Sequence, residues 1–433
     1  MLNPVTCWSV VICVLGGSPV SVLAQNASGA KEQLADRGVT ITTTYGAVLS
    51  NLDGGLPRAT SRGDREGDTY SGNLSLQASL DGHRLFGASG LTLLVDGLWI
   101  HGGQPSAILG DAQGVSNISA PPKLTLYEAW LQYDMFGNRF SVLAGRYDLN
   151  AEFYRVQSAG LFLNSSFGTG PEFSNSGTGG LGPSIFPSTS LGVRLVFKPR
   201  ANVIVRGAIL DGEPVDRADG SVAAFKSGDG LLLVSEVALL NRAASDDRTR
   251  KLRFRIGRGS GLPPYANKVA VGGWYYTATF NDLNNVDASG APLKHRGSGG
   301  AYVLGDATLI RSNADPRRRL TGFGETGLGD GRVNRFGAYL GAGLVGAGAL
   351  PMRPTDELGV AVAMARNGSG YLDSGQRLGE PATTAETAVE VTYLAQIASW
   401  LALQPDFQYV IHPNTDPTVR NGRVFQFRFE LTF

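Results

Sequence analysis

Six charged side chains recur at alternating positions of short segments in which apolar and polar residues take turns: Asp96, Glu128, Arg194, Arg206, Glu236 and Asp306. Two indoles sit among them. Trp130 shares a face with Glu128, and Trp274 shares one with Lys268 and Tyr276. Carboxylates and guanidinium groups offer paired hydrogen bonds to neighbouring hydroxyls, and an indole covers the apolar face of a sugar ring. Mixed charge beside aromatic rings therefore suits a neutral, polyhydroxylated solute. The same charges would also serve to brace a wall as ion pairs, and no single position separates the two uses. Arg146 stays outside the set, because the alternation from Arg139 to Asp148 is ambiguous.

Other chemistry is thin. Gly341, Gly343 and Gly346 match a GxGxxG spacing, but no helix follows their glycine-rich strand, so no dinucleotide site is expected. His83, His101, His295 and His412 fall in separate turns and loop edges, without metal spacing. No Ser–His or Asp–His set converges on one strand pair, so neither an enzyme nor a cofactor is expected. Asp282 and Asp287 in NDLNNVD could hold calcium in an outer loop; a solvated loop is the preferred reading.

The elements that position these side chains are strands, since successive residues of a strand leave on opposite faces. Segments of about ten residues alternate at 39–49, 70–80, 91–100, 124–134, 139–148, 189–198, 202–210 and 231–239. They continue at 268–280, 301–310, 320–328, 335–347, 358–366, 386–397, 401–411 and 424–433, sixteen in all. In the last, Phe425, Phe427, Phe429, Leu431 and Phe433 oppose Gln426, Arg428, Glu430 and Thr432. Short connections at 135–138, 199–201 and Ala398-Ser399 take turns with long ones at 50–69, 101–123, 148–188, 211–230, 281–300 and 367–385. The connection 240–267 breaks this rule by placing a long segment on the short-turn side.

Composition narrows the class. The first 24 residues carry no charged side chain and end in a small-x-small pattern, Val22-Leu23-Ala24, which reads as a secretory signal, 1–24. Both cysteines, Cys7 and Cys13, lie inside it, so the mature chain is read as cysteine-free and lacks thiol ligands and disulfides. Residues 25–38 read as a short N-terminal periplasmic helical segment ending at Gly38. Charged residues are 17% of the chain and net charge is +1, which implies no nucleic-acid partner. After the signal no stretch is apolar and long enough for a membrane helix. With sixteen strands, the enclosed space is too wide for side chains to fill, so the polar set must line water and the apolar set lipid. Closure is obligatory, because an open sheet edge cannot be hydrogen-bonded in hydrocarbon. The expected fold is all-β: a 16-stranded antiparallel transmembrane barrel over 39–433, in the bacterial outer membrane.

The longest connection, 148–188, is too apolar for a solvated tail. It carries Phe153, Tyr154, Leu161, Phe162 and Phe167, and is expected to fold inward as a constriction, with Glu152 as its charged contact.

The segments LTLYEAWLQYDMFGNRFSVLAGRYDLNAEF, GLFLNSSFGTGPEF, PSTSLGVRL and, most specifically, WLALQPDFQYVIHP resemble the carbohydrate-selective porins of the OprB type. The likeness runs from about Leu34 to Phe433. It implies passive passage of small neutral sugars, monosaccharides such as glucose, by facilitated diffusion. It also implies outer-membrane lipid and the barrel-assembly machinery, reading Phe433, as partners, and leaves a homo-oligomer open. The rivals are a general or weakly ion-selective porin, a barrel enzyme, and a TonB-coupled transporter; roughly 38 residues ahead of the first strand are too few for the last one's plug domain.

Overall fold

A computed structural model describes residues 31–55, 67–214, 225, 228–241, 267–315, 317–350, 352–380 and 382–433. The expected signal at 1–24, residues 25–30 and the irregular connection at 242–266 lie outside them.

Sixteen strands close into one antiparallel barrel in chain order, with β16 returning to β1. The first eight are β1 (Val39–Gly55), β2 (Gly67–Asp81), β3 (Leu91–Gly102), β4 (Lys123–Met135), β5 (Phe140–Tyr147), β6 (Ser190–Arg200), β7 (Val203–Asp211) and β8 (Leu231–Asn241). The rest are β9 (Asn267–Val286), β10 (Pro292–Arg311), β11 (Arg319–Gly329), β12 (Phe336–Ala347), β13 (Glu357–Asn367), β14 (Ala385–Ala398), β15 (Leu401–Ile411) and β16 (Arg420–Thr432). Every segment expected from alternation is a strand. One connection is not what its composition suggested. Residues 281–300, read as a long loop, continue β9 and β10 into a tall hairpin whose tip is a turn at Asp287–Ala291, where the Asp287 N–H donates to the Ala291 carbonyl at 2.8 Å. Asn, Asp and Gly made that stretch look irregular, but cross-strand pairing outweighs a weak local preference.

A short helix at 31–36 precedes β1. It ends at Gly38, whose φ of 91° is a left-handed cap, and Arg84 holds it to the β2–β3 turn by donating to the Ala35 carbonyl at 3.0 Å. The seam closes at the same mouth. Phe433 and Thr43 exchange both backbone hydrogen bonds, at 2.8 and 2.9 Å, and the Phe433 ring stacks on Trp400 at 6.3 Å.

The two faces are inverted relative to a soluble barrel. Along β16, Phe425 and Phe427 are exposed on the outside while Gln426 and Arg428 are buried inside. Leu340, Leu344, Val360 and Val362 are exposed in the same way, whereas Glu325, Glu386, Glu390 and Gln408 are buried. Two places break simple parity. A bulge between Asp96 and Gly97 brings both Tyr127 and Glu128 inward on β4. On β5, Gly145 adopts φ 139°, where a Cβ would lie 2.3 Å from the Ala129 carbonyl oxygen. That kink buries Arg146 and Tyr147 in succession, which is why the alternation there could not be read.

Lipid exposure of Phe427 has a measurable consequence. Phe427→Arg is expected to destabilise the barrel in bilayers by about 2–4 kcal/mol if the site lies at mid-membrane, falling towards zero near an interface. Denaturant unfolding in lipid vesicles measures this; unchanged stability would place Phe427 outside the apolar band.

Candidate functional site

The connection from β5 to β6, 148–189, turns into the barrel and fills it. Its aromatic side chains make this favourable: Phe153, Tyr154, Phe162, Phe167 and Phe173 are each at most 2% exposed. Burying one large apolar side chain contributes about 1.5–3 kcal/mol, so five offset part of the ordering cost of the segment, about 1–2 kcal/mol for each residue fixed, and contacts with the wall must supply the rest. They join wall aromatics in one core. Phe173 stacks on Trp274 at 4.3 Å, Tyr154 meets Tyr302 at 4.4 Å, and Phe162 lies 5.6 Å from Phe323.

An irregular segment inside a barrel also carries backbone N–H and C=O groups that no ladder satisfies, and each must find a partner. The wall supplies them. Glu128 accepts from the Asp148 N–H at 3.0 Å, Glu236 from Tyr154 at 3.0 Å, and Asp306 from Ser158 at 3.1 Å. On the opposite side Glu390 accepts from both Leu163 and Asn164, at 2.5 and 3.0 Å. Loop carbonyls are met in turn. Lys268 donates to Arg155 at 2.6 Å, Gln404 to Leu161 at 2.7 Å, and Arg206 to Glu152.

The second inward connection, 103–122, is held likewise. Glu386 accepts from Ala112 and Gln113 at 2.8 and 3.0 Å, Gln408 donates to Val115 at 2.9 Å, and Leu109 and Val115 pack against Leu52, Val410 and Val424.

Four of the expected site residues converge. Glu152 on the loop pairs with Arg194 at 2.8 Å, and Arg206 reaches Glu236 at 3.4 Å, with Lys268 at 3.6 Å from the same carboxylate. Tyr147 and Tyr302 donate to Glu152 and Glu236, both at 2.9 Å. The others stand apart. Asp96 lies directly across from Glu128 on the neighbouring strand and accepts from Ser75 at 2.8 Å. Asp306 is engaged by the Ser158 backbone and hydroxyl. Trp130 remains half-buried and donates to Glu128 at 3.2 Å. Trp274, by contrast, is 4% exposed under Phe173 and has no free face.

Several wall residues escaped selection: Glu386, Glu390, Gln404 and Gln408 on β14 and β15, and Tyr302 on β10. Their inward parity was legible; their partners, more than two hundred residues away for the four on β14 and β15 and 148 for Tyr302 with Tyr154, were not. Glu172 on the loop was also missed. Tyr154 donates to it at 2.8 Å, burial pushes its carboxyl up to about 7, and a Cβ at Gly327 would meet its oxygen at 1.9 Å. Any larger residue at that point of the wall would displace the Glu172 carboxylate. Asp282 and Asp287 engage backbone N–H groups of their own turns, Asp282 with His295 as well at 2.7 Å.

Above the inward loop, at the mouth formed by the long connections, lies a cavity of about 670 Å³. Gln113, Asn117, Asn150 and Arg155 give it polar walls, and Phe162 and Phe186 give it apolar ones. Hydroxyl-binding groups beside aromatic surface are what a sugar ring requires.

Glu390→Ala should release two loop N–H groups from a charged acceptor, each such bond being worth about 1.5–3 kcal/mol. Single-channel conductance and proteolysis within 148–189 are both expected to rise, with Glu390→Gln intermediate. Unchanged values would show that apolar packing alone holds the loop.

Residues 65–433 match the family described as carbohydrate-selective porin, OprB family. Porin B of Pseudomonas aeruginosa is 25% identical over 193 residues, which cover 40% of this chain and 42% of that protein. OprB of Pseudomonas putida superposes with a TM-score of 0.78 in its high-pH structure, at 20% identity over 94% of this chain and 97% of that one. Its low-pH structure gives 0.57 at 16% identity, with the same coverage. At these identities the structural likeness speaks for the fold.

Proposed function

The chain belongs to the carbohydrate-selective porin, OprB family, and from that premise we propose that it passes small neutral sugars through the outer membrane by facilitated diffusion. The observation that carries this reading is the inward loop. A sixteen-stranded wall would otherwise enclose a wide water channel, and the strapped loop reduces it to a narrow path bordered by amides, guanidinium groups and aromatic rings. Gradient-driven passage needs no catalytic group, only contacts weak enough to release the solute on the far side.

Arg155, Asn117 and Asn150 at the outer vestibule are the first polar contacts. Trp130, beside Glu128 and below the loop, offers an apolar ring face further along. Arg194, Arg206 and Glu236 are buried in ion pairs and brace the loop that borders the path. Outer-membrane residence follows from the family and the barrel; capture of Phe433 by the assembly machinery, and assembly of several copies, belong to the proposal.

Liposomes holding the protein should swell faster in a monosaccharide than in a neutral non-sugar solute of similar size. Trp130→Ala should weaken block of ion current by sugar. Arg194→Ala leaves Glu152 uncompensated, so ion preference should move towards cations. Equal swelling in both solutes would instead mark a general porin.

Deleting Phe433 should leave export intact while outer-membrane levels fall, and Phe433→Trp should preserve them. Normal levels of the deletion on membrane fractionation would reduce Phe433 to a lipid contact.

A further inference from the structure

Inside the barrel the two sides of the wall differ. On β7 to β12 it is closed and apolar: Ile204, Leu240, Ala270, Leu304, Phe323 and Val345 point inward and are at most 7% exposed. These side chains offer a sugar no hydrogen bond. Across β2 to β4 the inward face is open and mostly polar. Ser75 and Gln77 on β2, Leu94 on β3, and Trp130 and Gln132 on β4 are only half-buried.

Strand register orders these residues into rungs. Thr42, Gln77, Asp96 and Glu128 lie directly across from one another on β1 to β4. The next rung, nearer the mouth that holds Gly38 and Phe433, is Thr40, Ser79, Leu94 and Trp130. Leu94 is therefore the direct neighbour of Trp130, and the two make one apolar surface. Gln77 is the diagonal neighbour of Leu94, and a diagonal of about 7–8 Å is within reach of a long side chain.

The two glutamines of this wall are used differently. Gln132 is committed at both ends, accepting from Arg194 at 2.6 Å and donating to Asp134 at 2.9 Å. Gln77 is held at one end only. Asp96, itself 5% exposed, accepts from the Ser75 hydroxyl at 2.8 Å and from the Gln77 amide. The Gln77 carbonyl and its second N–H are left for the lumen. An amide fixed in advance by a carboxylate does not have to be ordered by each solute that reaches it.

We propose that Gln77, held by Asp96, forms with Leu94 and Trp130 a sugar subsite on the periplasmic side of the constriction, so that solute leaves along the β2–β4 wall. The proposal rests on the sugar-passage reading above and adds the place of exit and two residues. Gln77 touches the solute; Asp96 is a positioning residue that acts through it. The chemistry fits a neutral sugar, whose hydroxyls both give to and accept from one amide while its apolar ring face lies on leucine and indole. Such contacts are individually weak, as release on the far side requires.

Block of ion current by glucose, recorded on single channels of the full-length protein in known orientation, provides the test. Gln77→Ala should weaken block by glucose added on the periplasmic side about two- to tenfold, the loss of one or two neutral hydrogen bonds. Block from the outer side should change less, because the vestibule is met first from there. Asp96→Asn should weaken periplasmic block in the same way, and the Gln77→Ala, Asp96→Asn double variant should lose no more than Gln77→Ala alone. Thr321→Ala, inward and half-buried on the other side of the lumen, serves as control and should keep the wild-type block. Equal block of wild type and Gln77→Ala from the periplasmic side would overturn the proposal while leaving sugar passage intact. So would an equal loss in Thr321→Ala, or additive losses for Gln77 and Asp96. A wild-type current that glucose leaves unchanged from both sides would instead remove the sugar-passage reading itself.

Discussion

Backbone satisfaction governs the interior. A chain segment that leaves the sheet and enters the lumen brings some forty residues of unpaired amides, and the barrel wall answers them one at a time. Glu128, Glu236, Asp306 and Glu390 each face a loop N–H, while Lys268, Arg206 and Gln404 each face a loop carbonyl. Because these wall residues come from β4, β7, β8, β9, β10, β14 and β15, the loop is held from both sides of the lumen. A loop fastened on one flank only would swing; this one is fixed in place by opposed contacts. The charge pairs then follow. Glu152–Arg194 and Arg206–Glu236 neutralise groups that the strapped loop has taken out of water, and an unpaired charge there would be costly.

Sequence parity made the barrel legible because its signal is local. Gln426 and Arg428 between Phe425, Phe427 and Phe429 state which face is which without reference to any other strand. The inward course of the loop was legible for a related reason: Phe153, Phe162 and Phe167 cannot be left in water together. The use of the wall charges was not. A glutamate that receives a loop amide and one that receives a sugar hydroxyl have the same parity and the same neighbours, and differ only in a partner across the lumen. Glu236 was selected and Glu390 was passed over, although both do the same work. Trp274 shows the converse error, since an indole on the inward face counted as a stacking surface until Phe173 was found on top of it.

Irregularities were readable only in part. The ambiguity around Arg146 marked a real kink at Gly145, whereas nothing in KLTLYEAWLQYDM announced the bulge that turns Tyr127 and Glu128 inward together. The hairpin at 281–300 was hidden by residues common in loops. Pairing over most of its length, Lys294 with Asn281 and His295 with Phe280 among the rungs, decided its form.

The spread of anchor points along the chain also fixes a sequence of events in assembly. Leu163 and Asn164 are 227 and 226 residues away from Glu390, and Val115 is 293 away from Gln408. The loop is synthesised early, but Glu390 and Gln404, its anchors on the far wall, arrive only with β14 and β15, and long-range contacts of this kind form late. Docking is therefore completed only with the final strands, and sealing the wall and fixing the loop on its far flank happen as one step. An intermediate stalled before β14 has an unsealed lumen in which the loop is held from one flank alone, by β4 and β7 to β10: a leak. For a cell, the hazard of an incompletely inserted copy is then greater than the loss of one working channel.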